Sequence, residues 1–409
     1  MGRLDHDVTS LQTTQPTSDG GRTSHVGLAI LSLALGGFAI GTTEFVTMGL
    51  LPDIATGIDE SIPTTGHVIS AYAVGVVIGA PVIVSLAARL PRRELAIGLV
   101  LALGLGNAIT ALAHGYWEVM AARFISGLPH GAYFGVASLV AVSLVAPERR
   151  GRAVSGVMLG LTVATLVGVP AGTVLGQQLG WRSAYWSVLG LAVITAVLLL
   201  LFVPHQPGNP HATVRAELAA LRRPQVLFAV AAGMIGFGGV FAMYSYIAPV
   251  VTDVTELSSG TIPVFVFGFG LGSVAGTWLA GRLADWNVER SILGGYAVLA
   301  VALVAFSLAA GLVVPAFVLV LLVGALGSVL AVNLQIRLMY VAGDAQMLGA
   351  ALNHSALNVA NGLGAWVGSV VIAAGYGYRA PSVVGAALAV GGLLIFAAGL
   401  AQSHRADRT

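Results

Sequence analysis

The amino-acid sequence predicts an all-α, polytopic membrane protein with twelve transmembrane helices. Of the 409 residues, 57% are hydrophobic and only 9% are charged, whereas soluble domains carry about 25% charged residues. Apolar stretches of ~20 residues, the length that spans a bilayer core as a helix, recur along the whole chain. There is no cysteine, which excludes a disulfide framework, thiol metal ligands and a thiol nucleophile.

Twelve apolar segments divide the chain into two groups of six. The longest internal connection, residues 204–224, separates the groups, and we predict a short amphipathic helix within it. We therefore expect six-helix bundles at 26–203 and 225–402, and cytosolic tails at 1–25, which should be disordered, and 403–409. The predicted spans are 26–52, 65–88, 94–114, 117–145, 152–176, 182–203, 225–251, 259–281, 291–311, 314–337, 347–374 and 381–402.

The placement of arginine predicts the orientation. All 19 basic residues are arginines, and most of them lie in the connections on the side that also carries both chain termini. The opposite connections carry only Arg182 and Arg379. Because positive charge is retained on the cytoplasmic side, we expect a protein of the cytoplasmic (inner) membrane with both termini in the cytosol.

The two groups of spans resemble each other at a constant offset of 197 residues. This offset pairs Gly75 with Gly272, Gly79 with Gly276, and Gly127 with Gly324, among other matches. Parallel six-helix repeats with a binding site between them are a known transporter plan. The same offset maps Glu44 onto Phe241 and Arg123 onto Val320, so both intramembrane charges belong to the first repeat alone.

Glu44 is the candidate centre of function. It follows Thr42 and Thr43 in the first span and is the only acidic residue well inside any predicted span. A carboxylate in that position normally faces a water-filled cavity or a partner charge. Two structural alternatives are a glutamate that reaches the outer interface and one that only hydrogen-bonds a neighbouring helix.

Arg123, in the fourth span, should lie at a similar depth to Glu44, since both stand a few helical turns from the same membrane edge. A nearby arginine and desolvation act in opposite directions on the protonation of a carboxyl group, so such a carboxyl could gain or lose a proton during a transport cycle. The alternative is a static ion pair that only fixes helix packing. His130, further along the same span, is a candidate for proton relay or substrate binding, or simply a hydrogen-bonding partner of a neighbouring helix.

Several other side chains are candidates for substrate binding. Aromatic and methionine surfaces suit varied amphipathic ligands, although contact with lipid or with a neighbouring helix is an equal alternative for each. His354, Asn358 and Asn361 are spaced so that they share one helix face, which should point inward; hydrogen bonding between helices alone is the alternative. The candidates are Thr43, Tyr133, Phe241, Tyr244, His354, Asn358 and Asn361.

Three motifs resemble those of one transporter family. The Gly-Val-Pro-Ala-Gly core with Gly168, Pro170 and Gly172 resembles the antiporter signature of the major facilitator superfamily, and the ARFISGLPHG stretch resembles its fourth-helix motif, whose arginine is linked to proton transfer. That role falls on Arg123. The family's cytosolic loop motif is degenerate here. Its first copy keeps Arg89, Arg92 and Arg93, and its second copy keeps Gly281, Asp285 and Arg290.

The resemblance covers nearly the whole chain and is strongest to bacterial chloramphenicol- and arabinose-efflux permeases of the twelve-helix drug:proton antiporter branch. It implies a proton-coupled antiporter that exports small amphipathic molecules by alternating access, with Glu44, Arg123 and His130 in proton coupling. Sugar or nucleoside efflux is the alternative, and a metabolite importer or a non-transporting receptor is a weaker one.

The sequence shows no Walker-type phosphate loop, metal-ligand cluster or nucleophile elbow. We therefore expect no enzymatic activity, cofactor, metal or nucleic-acid partner. The expected partners are protons, a small-molecule substrate and the surrounding bilayer, and we expect a monomer.

Overall fold

The computed structural model describes residues 20–87, 90–207, 223–343 and 346–406, and this part of the chain is almost entirely helical and contains no strand. Twelve long helices, α1–α12, make up most of it, and short helical segments such as Leu51–Gly57 lie between them. They are α1 Gly20–Gly49, α2 Ile62–Ala87, α3 Arg92–Leu112, α4 Tyr116–Ser143, α5 Arg150–Leu179, α6 Arg182–Phe202, α7 Pro224–Tyr244, α8 and α9 within Ile262–Ala309, α10 Val313–Ala342, α11 Gln346–Val371 and α12 Ala380–Ala406. The predicted fold class is confirmed.

Helices α8 and α9 form one continuous helical run that bends at Asn287. Its φ of −171° and ψ of 107° are extended rather than helical, and its Oδ1 accepts a hydrogen bond of 2.8 Å from the backbone N of Arg290. An asparagine side chain that satisfies an otherwise unpaired backbone N–H is a usual helix start. The arm 262–286 is therefore α8 and the arm 288–309 is α9, which makes two spans of the single apolar run Ser259–Ala309.

The helix ends differ from the predicted span limits. Helix α1 begins at Gly20 and α12 continues to Ala406, whereas the predicted spans begin at residue 26 and end at residue 402. At 1.5 Å per residue the 30 residues of α1 measure about 45 Å, the thickness of a bilayer with its headgroups. Of the predicted disordered tail 1–25, residues 20–25 belong to α1 and residues 1–19 lie outside the described residues. The amphipathic helix predicted within 204–224 falls mainly on residues 208–222, which also lie outside them.

Close glycine contacts repeat in the two halves at the offset found in the sequence. A Cβ on Gly75 would collide with the backbone O of Phe124, and one on Gly272 with that of Leu321. Likewise, Gly127 packs against the carbonyl of Tyr72, and Gly324 against that of Phe269. Each pair is related by 197 residues, so the α2–α4 contact and the α8–α10 contact have the same register. The internal repeat is confirmed.

The halves meet along two pairs of helices, α2 with α11 and α5 with α8. Ser70 Oγ of α2 donates to the carbonyl of Gly362 in α11 at 2.9 Å, and Gly270 of α8 packs against the carbonyl of Thr165 in α5. Towards the end of the bundle opposite the arginine-rich connections, Gln177 Nε2 donates to the carbonyl of Ser259 at 2.8 Å. Between these two helix pairs, α1 and α11 bring the side chains of Glu44 and Asn361 together.

Candidate functional site

Glu44 lies in α1 with only 5% of its surface exposed, and its partner comes from the other half of the protein. Asn361 Nδ2 of α11 donates a hydrogen bond of 3.1 Å to Glu44 Oε1. The glutamate therefore does not reach the outer interface. It forms a hydrogen bond with a neighbouring helix, as in the second structural alternative given above. That helix, however, belongs to the opposite repeat.

Arg123 is fully buried in α4 and is held by the residue next to Glu44. Its Nη1 donates to Thr43 Oγ1 at 2.9 Å and its Nη2 to the Thr43 carbonyl at 3.0 Å. The guanidinium lies over the rings of Tyr72 and Tyr185, at 4.3 and 5.4 Å from the centroids. None of the ion pairs within 4.0 Å among the described residues joins Glu44 to Arg123, so the static ion pair considered from the sequence does not form.

Two residues that support this arrangement were not selected from the sequence. The Thr43 hydroxyl, which accepts from Arg123, donates in turn to Asn107 Oδ1 of α3. Tyr185 of α6, beside the guanidinium, is hydrogen bonded through its hydroxyl to Thr47 Oγ1 at 2.8 Å. Asn107 is the one amide side chain in α3 and lies in its apolar part, which could have identified it. The role of Tyr185 depends on helix rotation, which the sequence does not reveal.

His130 and His354 face one another through an intervening ring. His130 Nδ1 is hydrogen bonded to Tyr72 OH at 3.0 Å, so one tyrosine contacts both Arg123 and His130. The ring of Phe134 lies 5.4 Å from His130 and is nearly parallel to His354 of α11, with centroids 5.9 Å apart and planes at 9°. Phe134 was not a candidate from the sequence. Its stacking on His354 forms a second contact between the two halves, besides the Glu44–Asn361 hydrogen bond.

Four of the predicted substrate-binding side chains are engaged within the protein. Tyr133 is fully buried and donates to the carbonyl of Leu33 at 2.9 Å. Asn358 Nδ2 donates within its own helix to the carbonyl of His354 at 2.9 Å. Phe241 stacks on Phe45 at 6.3 Å, and Tyr244 stacks on Phe269 at 3.8 Å. The stacked rings therefore connect α7 to α1 of the other half and to α8.

The glycines of α5 lie directly against α1 on both sides of Glu44. A Cβ on Gly168 would collide with Thr42 Oγ1, and one on Gly172 would approach Val46 Cγ2 to 2.9 Å. Residues Ala164–Gly168 form a π-helical turn, and Pro170 opens the α-helix that follows. The small-residue face thus brings α5 into close contact with the two turns of α1 that carry the carboxyl.

The predicted cytosolic loop residues form contacts only within their own half in the described part of the chain. Arg93 Nη2 lies 2.9 Å from Glu94 Oε1, and the Arg92 amide donates to the carbonyl of Gln206 at 3.0 Å. Gly281 and Asp285 are exposed, and Arg290 lies over the ring of Trp286 at 5.9 Å. Arg89 lies outside the described residues.

Twelve apolar helices in two repeats, with a carboxyl and an amide hydrogen bonded where the repeats meet and an arginine buried in the first repeat, are typical of a membrane transporter of the secondary class. The family is shown directly by sequence. The sequence model of the Major Facilitator Superfamily matches residues 33–345, and the chain belongs to that superfamily. It is therefore a multi-pass transporter and not an enzyme.

Relatives of known name agree with this assignment. The chain is 40% identical over 370 residues to the inner membrane transport protein YdhP of Escherichia coli K12, which covers 90% of this chain and 95% of the relative. It is 35% identical over 355 residues to a chloramphenicol resistance protein of Streptomyces lividans, covering 86% and 90% of the two chains. The fold also matches the crystal structure of a bacterial homologue of the lysosomal transporter Spinster, with a TM-score of 0.67, 16% identity and coverage of 93% and 97%.

Proposed function

We propose that this protein is a proton-coupled antiporter of the inner membrane that exports small amphipathic molecules by alternating access. The observation that carries the proposal is the hydrogen bond between Glu44 of the first half and Asn361 of the second. A titratable group that bonds across the moving boundary can couple a proton to the relative position of the halves. No other acidic side chain of the described residues is buried in the bundle.

The coupling follows from the chemistry of the carboxyl group. Ionised Glu44 accepts a charge-assisted hydrogen bond from the Asn361 amide, and such bonds are about twice as strong as neutral ones. Protonation removes the charge and weakens the bond. A proton that binds Glu44 therefore favours separation of α1 from α11, and its release favours their contact.

Arg123 places a fixed positive charge near the carboxyl without neutralising it by direct contact. Thr43 holds the guanidinium through two hydrogen bonds, so rotation of α1 would move Arg123 and Glu44 as one unit. The hydrogen bond between Tyr72 and His130 extends from the guanidinium along α4. We assign this pair to the proton path between Glu44 and the arginine-rich end of the bundle.

The substrate class rests on the aromatic rings that link the two halves and on the relatives. Phe45, the residue after Glu44, contacts Phe241 and Tyr244 of the second half, and Tyr244 stacks on Phe269. Connected aromatic rings of this kind suit flat, partly polar molecules. A relative that covers most of the chain is a chloramphenicol resistance protein, and chloramphenicol is the first probe. Both termini lie in the cytosol under the positive-inside rule, which a reporter fused after Thr409 would test.

The test uses an efflux-deficient bacterial host that expresses the chain. Expression should raise the growth-inhibiting concentration of chloramphenicol and lower its accumulation, and a protonophore should restore the accumulation. The control is the Glu44→Gln protein at equal abundance in the membrane. Higher accumulation in expressing cells would instead identify an importer, and export that survives the protonophore would exclude proton coupling.

A further inference from the structure

A cavity lies at the arginine-rich edge of the second half, away from the Glu44 site. It has a volume of about 390 Å³ and opens where α7 begins, α9 begins, and α10 and α12 end. Its polar lining is Arg223, Gln225, Glu289, Arg337, Tyr340 and Ser403. No step of the proposed transport cycle uses these residues, so their function has to be sought separately.

The charges of this cavity sum to a net positive value, from two arginines and one glutamate. Arg337 Nη1 lies 2.7 Å from Glu289 Oε1, and its Nη2 donates to Gln225 Oε1 at 3.4 Å. The Arg337 side chain is only 10% exposed, so α7, α9 and α10 hold one guanidinium rigidly in the cavity wall.

Arg223 is the second guanidinium and is held differently. It is exposed, and its Nη1 donates to the carbonyl of Val341 at 3.2 Å. That bond engages one of five N–H donors and fixes the side chain over the mouth of the cavity. One arginine in the wall and one at the mouth, with the Ser403 side chain nearby, form a polar site of the kind that binds a phosphate oxygen.

The depth of the cavity indicates the source of the phosphate. Tyr340 is 78% exposed in the last turn of α10, and exposed tyrosines at helix ends lie at the headgroup level of a bilayer. Basic cavities between transmembrane helices at that level bind anionic lipid headgroups. We propose that this cavity binds the phosphodiester of an anionic phospholipid, with Arg223 and Arg337 as its ligands.

The test measures lipid binding to the purified full-length protein, independently of transport. Short-chain phosphatidylglycerol, short-chain phosphatidylcholine and inorganic phosphate are titrated separately, and the apparent affinity is taken from the rise in thermal unfolding temperature. Phosphatidylglycerol should stabilise the protein, whereas phosphatidylcholine and inorganic phosphate should have little effect. Equal stabilisation by inorganic phosphate would overturn the assignment to a lipid.

Two substitutions that change the charge of the cavity in opposite directions test where the lipid binds. Arg223→Gln should weaken phosphatidylglycerol binding about fivefold, the effect of one arginine near an anionic surface. Glu289→Gln should strengthen binding, because Arg337 loses its neutralising partner.

The control is Arg149→Gln, which removes an exposed arginine of the first half near the same edge and should leave lipid binding unchanged. An equal loss with Arg149→Gln, or no gain with Glu289→Gln, would overturn the proposal. If Arg223→Gln does not yield folded protein, Arg223→Lys should still weaken binding, because lysine lacks the planar fork.

Discussion

Asn361 Nδ2 donates to Glu44 Oε1 at 3.1 Å, and the two residues are 317 positions apart in opposite halves of the protein. Alternating access requires the halves to move against each other around a central site. Under the proposed mechanism, a hydrogen bond across that boundary breaks or changes partner in each cycle. The strength of this bond depends on whether Glu44 carries a proton, and this dependence leads to the first two predictions.

Glu44→Gln should abolish export driven by a proton gradient while the protein remains folded in the membrane. Glutamine preserves the size of the side chain and accepts from Asn361, but it cannot ionise. Glu44→Asp should retain part of the activity, since it still titrates. The measurement is uptake of labelled chloramphenicol into inverted vesicles after an imposed pH gradient.

The control for Glu44→Gln is Glu60→Gln, at an exposed acid outside the spans. Full transport by the Glu44→Gln protein would transfer proton coupling to other residues, with His130 and His354 next to be tested.

Asn361→Ala should shift the conformational equilibrium towards separation of α1 and α11. Loss of a hydrogen bond to a charged group changes an equilibrium by roughly 1.5–3 kcal/mol. The chain contains no cysteine, so spin labels at Thr56→Cys and Glu256→Cys would report the distance between the halves without background.

The matched control for Asn361 is Asn358→Ala. Asn358 lies on the same helix face, but its amide bonds only to its own helix, so the label distance should stay unchanged. In the Glu44→Gln background, Asn361→Ala should produce a smaller shift than in the wild type. Additive shifts would show that the two side chains act independently.

Thr43→Val should impair transport, but less than Arg123→Gln does. Valine removes the hydroxyl that accepts from Arg123 Nη1, whereas the carbonyl bond to Nη2 remains. Thr195→Val is the control, because Thr195 is equally buried and its hydroxyl bonds only within α6. The measurement is the transport rate at equal abundance in the membrane. An equal loss of transport in the Thr43→Val and Thr195→Val proteins would indicate a general packing effect.

The spans, the repeat and the two intramembrane charges could be read from the sequence because each has a local signal. Apolar length identifies a span, and Glu44 and Arg123 are conspicuous in apolar surroundings. The spacing of His354, Asn358 and Asn361 places them on one helix face. It does not reveal that Asn361 alone bonds to Glu44, because that depends on the distance between helices far apart in sequence.

Partners across helices were the part that could not be predicted. Tyr185 and Phe134 look like ordinary apolar-face residues in their own segments, and only the packing of α6 and α11 gives them contacts with the site. The partners of Tyr133 and Asn358 could not be read from the sequence either. Both are candidates for substrate binding, and in the structure the Tyr133 hydroxyl and the Asn358 Nδ2 each donate to a backbone carbonyl.

Gly172→Leu should block transport without preventing membrane insertion. A Cβ at this position already approaches Val46 Cγ2 to 2.9 Å, so a larger side chain forces α5 away from the turn of α1 that carries Glu44. Gly168→Val should act in the same way through Thr42. Gly151 lies on the same helix with open space around it, so Gly151→Leu should leave transport unchanged. Normal efflux by the Gly172→Leu protein would show that this close packing has no mechanical role.

Alanine at Gly127 or Gly324 should destabilise the protein to a similar extent, because the two glycines occupy equivalent places in the repeat. Each would direct a Cβ into a backbone carbonyl, of Tyr72 and Phe269 respectively, and backbone cannot move aside as a side chain can. Overpacking costs about 1–3 kcal/mol, which exceeds the roughly 0.5–1 kcal/mol that alanine gains over glycine in a helix. Gly135→Ala is the control in α4, where a Cβ meets no atom within 4 Å. Only the gain then applies, so Gly135→Ala should raise the thermal unfolding temperature in detergent while the other two variants lower it. A lower unfolding temperature in only one of the two alanine variants would show that the two contacts have the same register but stabilise the protein unequally.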